Sequence, residues 1–375
     1  MADTLRRDHV AVQGGQIPTP NIDALAARGQ IFRNAYSSYH QTTMSMAALF
    51  TGHTPSIERG RDRERLDWTG MTWCGLERYT NSAESGLCIP QEVGTLAEAF
   101  RDAGFFTAAV VSNRLLYRPG GYERGFDRWV ELPGDLPTAG QVNRSVLELL
   151  RSRPGDKFFL YIHYMDVHDY RARGQTYPSG VRIVDRAVGR VTAMLEQLGL
   201  MQGTVVIFTS DHGEHFERDE HFIPASRGHT GSPSFEALVE VPLIVAPSLF
   251  ENTDATVHSD DLHRLIRMLA GLAPGPEPEL RPRELFLSER EFQTYRMKDW
   301  KSFRHRESGR HFLVNLRDDP GETRDVANSH PNVRAAHAAR MNELSRELGA
   351  PDAGRRKLSD RDRERMRRLG YIVTE

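Results

Sequence analysis

Short runs of β-branched and aromatic residues alternate along this chain with longer stretches whose apolar positions recur at helical spacing. That alternation predicts a mostly parallel sheet covered by helices. A helix is expected to open at Thr19-Pro20-Asn21-Ile22-Asp23, continue through Ala24 to Ala27 and stop at Gly29. Thr95 to Ala103 has the same form with Gly104 as its stop, and Thr107–Val111 follows as a buried strand. Phe158–Ile162 reads as another strand. Ile183, Val188, Val191, Leu195 and Leu198 share one helical face ahead of Gly199. Thr204–Phe208 is the strongest strand signal and Pro242–Val245 a shorter one, with a helix over Leu262–Leu269.

The stretch Ala273-Pro274-Gly275-Pro276-Glu277-Pro278 is rich in turn residues and marks a boundary. Beyond it, Leu285–Leu287 and His311–Val314 suggest a small sheet, followed by a helix over Asn332–Leu348. Ser359–Leu369 reads as a charged helix capped by Ser359 and stopped by Gly370. The expectation is an α/β fold, a central mostly parallel sheet flanked by helices, with a small C-terminal α+β subdomain. The segments are 1–278, 279–350 and a helical tail over 351–375.

Composition narrows the function only by exclusion. Of 375 residues, 39% are apolar and 27% charged, ordinary values for a globular chain. A net charge of −2 supplies no overall attraction to nucleic acid or anionic lipid. Lys157, Lys298, Lys301 and Lys357 are the only lysines, a bias consistent with coding composition. No apolar run approaches the ~18 residues needed to cross a bilayer. Cys74 and Cys88 are the only cysteines; a surface-loop disulfide and two unpaired thiols are equally compatible readings.

Chemistry concentrates where strands end. In open α/β sheets, ligands bind beyond the carboxyl ends of the strands. Thr204 to Phe208 leads into Ser210-Asp211-His212-Gly213-Glu214, so a carboxylate and an imidazole leave one strand tip together and can reach one cation. A strand-end hydrogen-bonding pair is the plainer alternative, weakened by the company the pair keeps. His163, Asp166, His168 and Asp169 follow the strand at Phe158–Ile162, while His221 and His229 follow Asp211 in a loop rich in His, Glu and Gly. Some of these are expected to be solvated loop residues, and His163 and His215 are not expected to touch substrate or metal.

These segments resemble the sulfatase family of the alkaline-phosphatase superfamily over nearly the whole chain. The residues carrying the resemblance begin with Asp3-Thr4-Leu5-Arg6, Asp8-His9 and the helix Thr19 to Gly29. Ala47-Ala48-Leu49-Phe50-Thr51-Gly52, Gly94 to Phe100, Asp102 to Phe105 and Arg124-Gly125-Phe126-Asp127 continue it. Ser210 to Glu214, Gly228-His229, Val241 to Ile244, Leu316 to Arg324 and Leu369-Gly370-Tyr371 complete it. The resemblance implies that Asp3, Thr42, Asp211 and His212 hold a divalent metal. It also implies that Thr42 is the nucleophile and that His168 and His229 serve the substrate's oxygens or its leaving group.

Two departures redirect the chemistry. Thr4 stands where many members have a second aspartate. Thr42-Thr43-Met44-Ser45-Met46 stands where sulfatases carry Cys or Ser followed by x-Pro-x-Arg, the signal for oxidation to formylglycine. A threonine hydroxyl needs a cation to stabilise its alkoxide, as a metal lowers the pKa of bound water from about 15.7 to ~7. Thr43 is the rival nucleophile. Thr42 is also read as the cap of a helix starting near Ser45, a role compatible with anion binding. Mostly oxygen ligands suit Ca²⁺, Mg²⁺ or Mn²⁺, and the histidine permits Zn²⁺. A second metal would draw on Asp166, His168 and His229.

The expected reaction is hydrolysis of a phosphate mono- or diester, or of a sulfate ester, in a small-molecule, glycan-type or lipid-type substrate. Phosphotransfer to an alcohol and a non-catalytic binding protein are the alternatives. Glu58 to Cys88 is expected to wall the pocket. Only Met1 and Ala2 precede Asp3, so a strand is expected upstream of it, and without one the two-residue end should fray. Location in the cell and oligomeric state stay open.

Overall fold

The computed structural model describes residues 1–56, 65–67, 89, 91, 93–118, 120–216, 219–223, 228–229, 233–250, 254–273, 284–289 and 291–348. Cys74, Cys88, most of the 58–88 segment and the 351–375 tail lie outside the described residues.

Strands Arg128–Glu131, Phe106–Val111 and Phe158–His163 pair in parallel, the middle one between the other two. The Phe106–Val111 run is buried on both faces, as its unbroken β-branched and small residues predict. Period-two alternation sends Ala108 and Val110 to one core, and Ala109 and Val111 to the other. Helices Ala139–Ser152 and Tyr177–Gln197 pack on the first face through Val142, Val146, Val184, Val188 and Val191. Helix Thr42–Thr51 lies in the second core and packs against helix Ser259–Leu269. All ten residues of Thr42–Thr51 are buried, the four hydroxyl side chains as well as the six apolar ones.

The chain start takes the next place in the sheet. Ala2 bridges Tyr164 in parallel. The Asp3 amide donates to the Tyr164 carbonyl (2.9 Å), the Tyr164 amide to Met1 (3.1 Å) and the Ala2 amide to Thr209 (3.0 Å). Frayed ends were expected here; three backbone hydrogen bonds and complete burial of Ala2 and Asp3 hold the segment instead. Ahead of it, strands Phe158–His163 and Val206–Thr209 line a cavity of about 500 Å³ together with Met1, Leu195 and Ile266.

On the far side, Val206–Thr209, Leu243–Ala246 and Gln30–Ile31 pair antiparallel, so the sheet is mixed at this edge. Asn34–Tyr36 pairs in parallel with Thr256–His258. Four carboxyl ends thus lie side by side, bearing Asn113, His163, Asp3 and Asp211.

At the C-terminal end, Leu285–Ser288, Phe292–Met297, Trp300–His305 and His311–Asn315 form a four-stranded antiparallel sheet. Helix Pro331–Leu348 packs Met341 and Leu344 on Phe286 and Tyr295. Phe292, Phe303 and Phe312 meet Phe235 and Ile223 of the preceding region. The sequence pattern predicted only the outer two of these strands.

Candidate active site

Asp3, Asp211 and His212 each offer one ligand atom within 4.8 Å of the others, and all three are buried. His212 Nε2 lies 3.4 Å from Asp211 Oδ2 and 4.0 Å from Asp3 Oδ1. Those two carboxylate oxygens have no hydrogen-bond partner among the described residues. Buried acceptors are normally paired, so two orphans converging on one imidazole nitrogen fit a bound cation. His212 Nδ1 lies 2.9 Å from the Gly213 carbonyl. Donation from Nδ1 leaves the Nε2 lone pair directed at the same point.

Thr42 completes the cluster, its Oγ1 3.3 Å from His212 Nε2 and 3.5 Å from Asp3 Oδ2. The capping expectation needs correction. Helix Thr42–Thr51 begins at Thr42 itself with Gln41 as its N-cap residue, so the hydroxyl faces the cluster rather than the helix backbone. The rival Thr43 has its carbonyl held by the Tyr122 hydroxyl at 2.8 Å.

The backbone around these ligands is built to hold them. Thr4 adopts φ 58°, rare for a β-branched residue and costing about 1–3 kcal/mol. Its amide donates to Asp211 Oδ1 (3.2 Å) and its carbonyl accepts from the Tyr177 hydroxyl (2.6 Å). Where a second aspartate was noted as missing, a turn orients the Asp211 carboxylate. Ser45 Oγ donates to the Asp211 carbonyl (2.5 Å), and Ser210 Oγ contacts the carbonyls of Ala2 and His212 at 2.6 and 2.7 Å. Gly213 must be glycine, because a Cβ there would meet the Ala237 carbonyl oxygen at 2.0 Å.

Asp3 is the most heavily supported ligand. Asn113 Nδ2 donates to its Oδ2 (2.7 Å) and lies 3.4 Å from Thr42 Oγ1. His163 Nε2 lies 2.9 Å from the same oxygen, with Tyr161 OH 2.6 Å from Nδ1 behind it. Burial alone would raise the Asp3 carboxyl, but the His163 hydrogen bond and the charges of His168, His163 and His212 hold it well below the usual carboxylate range. His163, not expected to touch substrate or metal, is fully buried as the last residue of a strand and reaches the Asp3 carboxylate. Asn113 was not among the expected site residues; it stands two residues beyond the strand Phe106–Val111, in a loop without the His and Asp residues that mark the other strand ends.

His229 lies beside the cluster, its ring centroid 4.6 Å from that of His212 and 5.4 Å from that of His168. Burial and the His212 charge keep the His229 imidazole below its ordinary pKa, against the pull of Glu214, 3.6 Å away. His168 goes the other way. Burial opposes its charge, but the hydrogen bond to Asp169 (2.9 Å) and the charge of Asp3 push it up to about 9.

The remaining histidines separate. His221 stacks on Phe235 at 3.7 Å with its Nδ1 3.2 Å from the Glu322 carbonyl, and His215 packs against it, both towards the C-terminal sheet. His215 is buried. Among the described residues, Asp166, His168 and His229 do not gather ligand atoms as Asp3, Asp211 and His212 do. The other such group is His258, Asp260 and Asp261 at the start of helix Ser259–Leu269, so the second-metal ligands do not converge as expected.

Residues 1–271 match the sulfatase family model. The N-acetylgalactosamine-6-sulfatase of Rattus norvegicus is 27% identical over 247 residues, covering 52% of this chain and 45% of that protein. The chain therefore spans about half the length of the curated relatives it matches. Among solved structures, a 2-O GAG sulfatase superposes with a TM-score of 0.69 at 17% identity, covering 93% of this chain and 91% of its own. The phosphonate monoester hydrolase of Agrobacterium radiobacter gives 0.66 at 15% identity, covering 96% and 97%. These two likenesses agree with the α/β fold, and the family match over residues 1–271 agrees with the strand-end cluster at its centre: the chain belongs to the sulfatase family.

Proposed function

We propose that this protein hydrolyses a phosphoric ester of a small-molecule or glycan-type substrate, with Thr42 as nucleophile. One observation carries the reading: Thr42 Oγ1 meets His212 Nε2 and the Asp3 carboxylate inside a buried cluster that also holds Asp211. Asp3, Asp211 and His212 would hold a divalent cation, with Thr42 at its edge. Such a cation lowers the pKa of an adjacent hydroxyl and offsets charge on non-bridging oxygens.

The chain's own residues supply the rest. Asn113 donates towards both Asp3 and Thr42, fixing the hydroxyl's direction. Thr42 would react as the alkoxide that such a cation stabilises, its proton already released to solvent. Its oxygen bonds to phosphorus as the bond to the leaving oxygen breaks, and it leaves again as the alkoxide when water attacks. His168, held protonated by Asp169, is placed to give that oxygen its proton. His229, kept neutral, is placed to accept a proton from the water that releases Thr42 in the second half.

A sulfate ester is the second reading, favoured by the sulfatases among the sequence relatives. Against it, Thr42 lacks the thiol or primary alcohol from which formylglycine is made. Turnover of aryl phosphate mono- and diesters should exceed that of the aryl sulfate. Thr42→Ala should lower it by at least about 10³-fold while divalent-ion binding persists. Undiminished turnover in that variant would remove Thr42 from its role, and sulfate as the preferred substrate would reverse the order of the two readings.

A further inference from the structure

A further buried histidine stands behind the site and has no part in the chemistry above. His40 lies two residues before Thr42, only 2% exposed, with Tyr39 stacked on it at 4.9 Å. Its Nδ1 lies 2.6 Å from the backbone carbonyl of His229, and its Nε2 lies 3.2 Å from Glu289 Oε1. Glu289 comes from the C-terminal sheet region, directly after strand Leu285–Ser288, and is also buried. The hydroxyls of Ser234 and Thr294 donate to the same carboxylate, the latter at 2.8 Å. Arg306 Nε holds the Glu289 carbonyl at 2.6 Å.

Three separate parts of the chain therefore meet on one ring. The nucleophile segment supplies His40, the histidine loop supplies the His229 carbonyl and Ser234, and the C-terminal sheet supplies Glu289 and Thr294. A buried carboxylate that accepts from two hydroxyls and lies 3.2 Å from an imidazole nitrogen is expensive to desolvate and fixed in direction. An imidazole with both nitrogens facing acceptors transmits that fixed direction to the carbonyl it holds. Displacing His229 by an ångström would misalign a group that must meet a substrate oxygen or a water.

We propose that His40 and Glu289 are positioning residues. On this assignment, Glu289 orients His40, His40 pins the backbone of His229, and the C-terminal sheet thereby sets the geometry of the catalytic loop. The proposal rests on His229 having the role assigned above, and its test must distinguish failure of either idea.

His40→Ala and Glu289→Gln are compared with wild type, His229→Ala and the double variant His40→Ala/His229→Ala, all metal-loaded and with melting temperatures recorded. Both positioning variants should lose at least about tenfold in kcat with KM within about twofold. The double variant should be no slower than His229→Ala alone, because one effect acts through the other. Glu289→Asp should recover part of the loss, since it keeps the charge.

A second arm needs no substrate: amide hydrogen exchange at 228–229. Exchange there should quicken at least about tenfold in His40→Ala and Glu289→Gln, while the core strand Phe106–Val111 stays protected. Additive kinetic losses, or unchanged exchange at 228–229, would overturn the positioning role. If the wild type turns over no ester, the proposed hydrolysis falls and the exchange measurement alone decides this proposal.

Discussion

Two buried charge clusters of this molecule contain the same elements in different proportions. In the site, the carboxylates of Asp3 and Asp211 lie with His212 and Thr42, and among the described residues no side chain with a fixed positive charge pairs with them. Where the C-terminal sheet meets the catalytic region, Glu236 and Glu322 also face each other, but Lys301 lies between them. Its ammonium is 2.9 Å from Glu236 Oε1 and 2.8 Å from Glu322 Oε1, and it is fully buried. Burial would raise the Glu236 carboxyl, yet Lys301 and Arg296 hold it below its ordinary value. One cluster carries its cation in the sequence, while the donors of the other fit the divalent cation proposed above. The lysine-bridged pair acts as a structural joint, and the Asp3–Asp211 pair has the oxygen donors that suit an exchangeable ion.

The sharpest way to break this contrast is to remove one member from each cluster. Asp211→Asn should lower turnover by more than about 10³-fold and abolish the stabilisation that divalent ions confer. In wild type that stabilisation is about 2.7 kcal/mol at an ion concentration of 100 times Kd. Melting with and without the ion measures it; an equal ion-dependent shift in the variant would place the ion elsewhere. Lys301→Met should cost about 3–5 kcal/mol by leaving two buried carboxylates without their cation. Denaturant titration measures that loss, and the same divalent ion should add its usual increment on top. If the ion instead rescues Lys301→Met selectively, the two clusters are not independent and the contrast fails.

The same contrast makes His168 a reporter of the Asp3 cluster. Its raised pKa owes part of its height to the Asp3 charge, after the opposing effect of burial and the larger help of Asp169. In the ion-free protein its ring should titrate near 9 by NMR. Loading the site neutralises part of the Asp3 charge, so the titration should move down, by roughly one unit or about 1.4 kcal/mol. No movement on loading would mean that the ion does not sit on Asp3.

How far the sequence displayed these two clusters differs for a physical reason. Asp211 and His212 were legible because a hydrophobic strand runs directly into them and exposes both at one tip. Helix Leu96–Asp102 was equally plain, because Thr95 and Glu98 form a capping box whose bonds the structure contains. Asn113 and His163 reach Asp3, and His40 reaches the His229 carbonyl, through sheet order and loop packing, so their partners are not legible in any local pattern. The inner strands of the C-terminal sheet were missed because Gln293, Thr294, Lys301 and Ser302 are polar yet buried, which erases the alternation a strand normally shows. The segment Leu316 to Arg324 carried a family resemblance without a visible purpose. Its purpose is local: Asp319 accepts from the amides of Thr323 and Arg324 at 2.8 Å, and Glu322, at φ 53°, reaches Lys301.

Glu322 offers the smallest and most specific test of the lysine-bridged cluster. Burial pushes its carboxyl up to about 7; Lys301 opposes this and the nearby Glu236 reinforces it. A carboxyl raised in the folded state binds more protons there than in the unfolded chain throughout the window between its ordinary value and 7. Unfolding free energy must therefore fall as pH rises through that window, the reverse of the usual effect of a paired carboxylate. Glu322→Gln removes the titrating group while keeping an oxygen able to accept the Glu236 amide, which the native carboxylate holds at 2.6 Å. The wild type should lose about 1–3 kcal/mol relative to the variant between pH 5 and pH 8. Denaturant titrations of both proteins at those two values measure it, and parallel pH dependence would show that Glu322 is already ionised beside Lys301. Divalent ions should leave the difference unchanged, because the cation that Glu322 faces is part of the chain.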